Sequence, residues 1–130
     1  MTEADDVEFE VMVGRAGGTA IVRVAGALDL ATVPTLEDVL KRLEDPCERV
    51  VLDLSELTFI DSTGLTLAVM QHRRAMSDGF DFVLAGARGP VLRTLRLAGL
   101  DVALPIAPDV QAALADGTGG ASEPGRSSGT

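Results

Sequence analysis

Aromatic residues are scarce in this 130-residue chain, which contains four Phe, no Trp and no Tyr. Nucleic-acid bases are commonly held by stacking on aromatic rings, so the chain offers few residues for such a site. Hydrophobic residues nevertheless make up 46% of the sequence, and most of them are aliphatic. Because a chain of this length is the size of one domain, we expect a single core built from Leu, Val, Ile and Ala.

Cysteine and histidine each occur once, as Cys47 and His72. A single cysteine excludes an intramolecular disulfide and a cysteine metal cage. A single histidine provides no imidazole pair for a metal, and a Ser-His-Asp triad would have to use His72. We interpret Cys47 as a packed residue and His72 as an exposed structural or contact residue. Neither GxxxxGK[ST] nor GxGxxG occurs, and the sequence therefore predicts no metal site and no cofactor.

Basic residues are in the minority, with 11 Lys and Arg against 20 Asp and Glu and a formal net charge of −9. An acidic domain repels phosphate backbones and anionic lipid, which favours a protein partner over nucleic acid or a membrane surface. Arginines on predicted helices and loops are interpreted first as solvated residues and second as partner contacts: Arg73, Arg74, Arg88, Arg93 and Arg96. No apolar run is long enough to span a bilayer, and the acidic amino terminus does not resemble a signal peptide. We expect a soluble, cytoplasmic protein.

Apolar patterns predict strands alternating with helices along most of the chain. The predicted strands are residues 9–13, 20–25, 50–54, 80–85 and 102–104, the first two forming a hairpin around a glycine-rich turn. The predicted helices begin at Pro34, Ser62, Pro90 and Asp109 and end near Asp45, Ser77, Ala98 and Leu114. This order indicates an α/β domain with one mixed sheet of about five strands and about four helices, mostly on one face.

The two ends of the chain differ in composition from the rest. Residues 1–7 are predicted to form a flexible amino terminus, and residues 8–115 a single domain. Residues 116–130 are rich in Gly, Ser, Thr and Pro without apolar periodicity, and this composition predicts a disordered tail.

The most informative segment is a buried strand followed by a short connector and a helix that begins at Asp61-Ser62. Both side chains suit an N-cap, so one of them can cap the helix while the other fills its first turn. Alternatively, Ser62 is a phosphate acceptor, since the positive end of a helix tolerates an anion. Thr63 is the adjacent alternative acceptor. Gly64 either allows close approach by a kinase or simply permits contact between helix and sheet.

These residues also carry a family resemblance. The run Asp61-Ser62-Thr63-Gly64-Leu65, preceded by Val-Leu-Asp-Leu and Phe-Ile, resembles the phosphorylation segment of the STAS domain, most closely that of bacterial anti-sigma factor antagonists. The turn at residues 26–29 is similar to the family's Gly-Glu-Leu-Asp turn, and residues 95–100 resemble its late helix ending in Gly-Leu. The resemblance spans about residues 8–115. Ala27 replaces the usual Glu, and Thr66 replaces a Gly that often follows Gly-Leu.

The resemblance implies a phospho-regulated function in which Ser62 is the phosphoacceptor. In such systems the unphosphorylated antagonist binds an anti-sigma factor that is also a serine kinase, and binding frees a sigma factor. Phosphorylation by that kinase, which brings the ATP and Mg²⁺, breaks the complex, and a phosphatase restores it. The implied docking surface comprises Asp29, Asp61, Ser62, Thr63 and Gly64, and the chain itself is not an enzyme. From the local pattern alone, Asp29 serves either a turn or a partner contact.

Two other functions remain open at this level. One is a constitutive STAS interaction subunit of a stress-signalling scaffold or transporter complex, in which Ser62 is only a helix cap. The other is a nucleotide-binding or hydrolytic domain, against which the missing phosphate loop and the single histidine argue.

Overall fold

The computed structural model describes residues 9–43 and 47–115. Within them lie five strands: β1 (Glu10–Ala16), β2 (Thr19–Leu28), β3 (Arg49–Ile60), β4 (Asp81–Ala85) and β5 (Ile106–Ala107). The helices are α1 (Val33–Lys41), α2 (Ser62–Asp78), α3 (Gly89–Leu97), α4 (Leu100–Ala103) and α5 (Val110–Ala115). The predicted segments 1–7 and 116–130 and the predicted stop of the first helix near Asp45 lie outside the described residues.

The strands form one mixed sheet, as the alternating pattern predicted, and their order in the sheet is β1-β2-β3-β4-β5. The β1–β2 pair is antiparallel and the remaining pairs are parallel. The hairpin turn is tighter than predicted, because β1 continues through Gly14 to Ala16 and only Gly17 and Gly18 connect the strands. Gly17 has a φ of +60°, a conformation that favours glycine.

Most of the helices pack on one face of the sheet, as predicted. Each step from β2 to β5 moves to the next strand in the same direction, and right-handed crossovers then place α1, α2 and α3 on the same side. The core on that side joins the following buried side chains: Val22, Val24, Leu52 and Leu54 from the sheet, and Leu36, Leu67, Val91 and Leu95 from the helices. The short α5 covers the other face, where Ala113 packs with Val51 and Ala85.

The predicted connector after residue 54 is wrong, because β3 continues without interruption to Ile60. The register with β2 shifts between Arg23 and Ala25, which interrupts the two-residue alternation that marks a strand. At this irregularity the buried Asp53 carboxylate accepts a hydrogen bond from the Ser55 N–H at 3.0 Å and pairs with Arg23 at 3.2 Å. The longer strand carries the start of α2 directly to the edge of the sheet.

The predicted strand at residues 102–104 is also wrong. Residues 100–103 form the short helix α4, and the final strand is β5, which pairs with β4. Gly99, at a φ of +79°, follows α3 and allows the chain to start a second helical turn. The described chain therefore contains five helices rather than about four. None of the described helices is long and apolar enough to cross a membrane.

Candidate functional site

Two of the sequence-predicted site residues lie side by side at the edge of the sheet where the parallel strands β2 and β3 end. Leu28 at the end of β2 pairs in parallel with Ile60 at the end of β3, so Asp29 and Asp61, which follow directly, leave the sheet side by side. The Asp61 N–H donates a hydrogen bond to the Leu28 carbonyl at 3.1 Å, and this bond holds the chain after β3 beside the end of β2.

Asp61 is the N-cap of α2. Its Oδ1 accepts hydrogen bonds from the Thr63 N–H at 2.9 Å and the Gly64 N–H at 3.2 Å, and the Thr63 hydroxyl donates to the same oxygen. The Thr63 hydroxyl is the main cause that lowers the pKa of Asp61 below its ordinary value. Burial is the next largest effect and opposes it, while the amides of Gly64, Thr63 and Leu30 lower the pKa further. Asp61 is therefore ionised at neutral pH.

Ser62 occupies the first position of α2 with its side chain exposed to solvent. Its hydroxyl makes no hydrogen bond with any residue in the described part of the chain. Of the two roles that the sequence left open at this helix start, the structure gives the cap to Asp61 and the first turn to Ser62. The Thr63 hydroxyl, by contrast, is half-buried and bonded to the cap.

Gly64 is buried where α2 crosses the ends of β2 and β3. A Cβ atom at this position would lie 2.7 Å from Ile60 Cγ1, closer than real Cβ atoms approach, and 3.0 Å from Leu28 Cγ, an unusually tight contact. The glycine thus permits contact between helix and sheet, which was one of its two predicted roles. A partner contact through Gly64 stays a prediction.

Asp29 stabilises the turn between β2 and α1. Its Oδ1 accepts from the Ala31 N–H at 3.0 Å and the Thr32 N–H at 3.2 Å. The Thr32 hydroxyl donates to the Ala27 carbonyl at 2.7 Å and accepts from the Asp29 N–H at 2.9 Å. The turn role is therefore present, and the partner contact of Asp29 remains a prediction.

Sequence reasoning overlooked two residues at this edge. Thr32 completes the turn network, and the Asp-x-x-Thr spacing from Asp29 was the available signal. The side chain of Leu30 is 75% exposed, and its backbone amide helps to lower the pKa of Asp61. No local pattern signals an exposed leucine in a turn.

The remaining titratable candidates lie away from this edge. His72, predicted to be exposed, is half-buried in the middle of α2. Asp53 and Arg23 support the irregularity in β3. No group of three or more His, Cys, Asp and Glu side chains within residues 9–43 and 47–115 is arranged to hold a metal ion.

Known proteins are similar to this chain in both sequence and fold. The STAS domain family model matches residues 10–113. The anti-sigma F factor antagonist of Paenibacillus polymyxa is 31% identical over 93 residues, which cover 68% of this chain and 78% of that protein.

Among solved structures, an anti-sigma factor antagonist from Mycobacterium paratuberculosis has a TM-score of 0.76 and 30% identity over 83% of this chain and 92% of its own. A sulfate transporter family protein from Wolinella succinogenes, with a TM-score of 0.68 and 22% identity over 75% and 83% of the two chains, shares the fold alone. On the match over residues 10–113 and the likeness to these antagonists, this chain belongs to the STAS domain family.

Proposed function

We propose that this chain is a phospho-regulated anti-sigma factor antagonist. In its unphosphorylated state it binds an anti-sigma factor that is also a serine kinase, and a sigma factor is thereby released in the cytoplasm. The kinase supplies ATP and Mg²⁺ and modifies Ser62, and a phosphatase reverses the modification. The observation that carries this proposal is the exposed hydroxyl of Ser62 beside a neighbouring N-cap, in a chain similar to known anti-sigma factor antagonists.

The geometry favours Ser62 over Thr63 as the acceptor. A kinase must reach the hydroxyl, and Ser62 is exposed without a described hydrogen-bond partner. The Thr63 hydroxyl would first have to leave the Asp61 carboxylate, which it helps to keep ionised. Modification of Thr63 would therefore disturb the helix start, whereas modification of Ser62 leaves the cap in place.

Phosphorylation of Ser62 acts on the docking surface through charge. A phosphoserine adds about −1.5 to −2 charges at neutral pH. Here the new charge stands beside an ionised Asp61, so a partner that covers this edge has to desolvate two adjacent anions. The helix itself tolerates the modification, because anions are favoured at its amino-terminal end. We therefore expect the phosphate to weaken the complex more than it weakens the fold.

The alternative of a constitutive STAS subunit has less support. In that alternative Ser62 serves only as the helix cap, but the N-cap of α2 is Asp61. The likeness to a transporter family protein is one of fold alone.

The test uses the purified chain and its cognate anti-sigma kinase. Incubation with Mg²⁺ and ATP should add one phosphate to the wild type and to Thr63→Val, and none to Ser62→Ala. Ser62→Asp should weaken binding to the anti-sigma factor at least about tenfold, which is 1.4 kcal/mol. Ser77→Asp is the matched control, since Ser77 is equally a serine exposed on α2 but lies in its last turn. A phosphate on Ser62→Ala, or equal binding by Ser62→Asp and the wild type, would show the proposal to be wrong.

A further inference from the structure

Several large hydrophobic side chains are exposed on the described part of the chain: Met12, Val13, Leu30, Phe59, Met70, Met76, Leu97 and Val102. Two of them, Leu30 and Met70, belong to the turn after β2 and to α2, the two segments that meet at the Asp61 cap. Exposed apolar side chains that lie singly are ordinary, whereas a group of them around a regulated position indicates an interaction site.

Leu30 lies on the turn beside the Asp61 cap. It is two residues beyond Leu28, whose carbonyl accepts the Asp61 N–H, and its own amide acts on the Asp61 carboxylate. The turn that presents it is fixed by the hydrogen bonds between Asp29 and Thr32. An apolar side chain on a rigid turn loses little conformational freedom when a partner covers it, so it can contribute fully to binding.

Met70 lies on the exposed face of α2. Eight residues separate it from Ser62, which in an α-helix corresponds to a rise of about 12 Å and a rotation of about 80°. Thr66 lies between them at about 40°, and both residues are exposed. The exposed stripe therefore begins at Ser62 and continues along the helix without passing into the core.

The same stripe carries a positive charge. Arg73 is eleven residues from Ser62 and about 20° away from it around the helix axis. Its neighbour Arg74 pairs with Asp78 at 3.5 Å, whereas Arg73 makes no ion pair with any residue that the structure describes.

We propose that Leu30 and Met70 are the two apolar anchors of the docking surface, one on the turn beside the start of α2 and one on α2 itself, and that its occupant is the anti-sigma factor. This inference rests on the proposed function. The partner surface then carries an apolar socket for each anchor and a carboxylate opposite Arg73. Anchors of this kind contribute most of the binding energy when surrounding contacts exclude water from them. A phosphate on Ser62 enters the region that the partner dries when it covers the start of α2, which makes it effective in breaking the complex.

Matched pairs of variants test the anchors, with binding to the purified anti-sigma factor measured by titration calorimetry. Leu30→Ala is compared with Leu97→Ala, because the two leucines are 75% and 83% exposed. Met70→Ala is compared with Met12→Ala on β1, away from α2, where the methionines are 53% and 60% exposed. We expect each anchor variant to raise Kd about tenfold and each control to change it less than about twofold.

A charge reversal tests the third contact. Arg73→Glu should weaken binding, whereas Arg93→Glu, the same reversal on the exposed surface of α3, should not. Every variant alters an exposed side chain, so thermal unfolding should stay close to that of the wild type and show that the fold is intact.

The outcomes separate this inference from the proposed function. If Ser62→Asp loses binding while Leu30→Ala and Met70→Ala bind like the wild type, the anchors are wrong and the phosphorylation switch stands. If the anchor variants lose binding while Ser62→Asp does not, the switch is wrong and the anchors stand. Equal losses in the anchor and control variants overturn the inference, because the contact is then not confined to the surface around Ser62.

Discussion

Replacing Gly64 by alanine tests the close contact that positions the start of α2. The new Cβ would lie 2.7 Å from Ile60 Cγ1 and 3.0 Å from Leu28 Cγ. Both neighbours are buried at the ends of paired strands, so neither can move without disturbing the sheet. Overpacking of this kind costs about 1–3 kcal/mol. The higher helix propensity of alanine offsets up to about 1 kcal/mol of this cost in a helix interior, and less in a first turn.

We therefore expect Gly64→Ala to lower the free energy of unfolding by about 1–2 kcal/mol. In a domain of this size each 1 kcal/mol shifts Tm by roughly 4 °C, so the loss is measurable by thermal unfolding as well as by urea titration. Gly14→Ala is the matched control. No atom lies within 4 Å of a Cβ built at Gly14, and its φ is not positive. The control should be neutral or slightly stabilising.

A Gly64→Ala protein as stable as the wild type would refute the reasoning, since the contact would then be able to relax at no cost. A loss of the same size in Gly14→Ala would refute it in another way, because the cost would then come from alanine in general rather than from this contact.

Two further predictions concern buried and capping carboxylates. Asp61→Ala should lower Tm by removing the cap of α2, while Asp61→Asn should keep most of it, because an amide oxygen can still accept. Since the folded pKa of Asp61 is lowered, its contribution is present above the ordinary value of 3.8 and is lost as the pH falls through the lowered pKa. In Asp61→Asn the free energy of unfolding should therefore fall less at acid pH than in the wild type. Unfolding measured between about pH 2 and 6, in steps of about one pH unit, would show the difference. Asp53→Ala should cost about 1–3 kcal/mol, because it leaves the Ser55 N–H without its acceptor. Arg23→Ala should cost less than about 1 kcal/mol, because Arg23 is half-exposed; equal losses in a urea titration would contradict this.

Local signals were sufficient to predict the start of α2 but not its division of roles. Asp61 and Ser62 both have an oxygen that can reach the first-turn amides, and only the backbone decides which one does. In the structure Asp61 has an extended conformation with ψ near −172°, which is that of an N-cap, and Ser62 is already helical. The segment and the candidate residues were thus predictable, whereas the identity of the cap required coordinates.

The errors at β3 and α4 have different physical causes. In β3 the register shift falls at residues 53–56, where the polar Asp53 is buried and Ser55 is half-buried. Polar and apolar residues therefore do not alternate there as in a regular strand, and the sequence pattern predicted an early end of the strand. At residues 102–104 three apolar residues are too few to separate a strand from a helical turn. The exposed side chain of Val102 shows that hydrophobicity there does not mark a buried strand.

The arrangement at the start of α2 explains why a switch can be placed there without risk to the fold. Had Ser62 been the N-cap, its oxygen would hold the first-turn amides, and a phosphate would alter the bonds that keep the helix start in place. Because Asp61 holds the Thr63 and Gly64 amides, the Ser62 hydroxyl is not needed for stability. The same carboxylate belongs to the residue directly before Ser62, so a phosphate there would stand beside a negative charge. The cap therefore protects the helix and, in the proposed function, adds to the negative charge that the partner meets, and both effects depend on one ionised side chain.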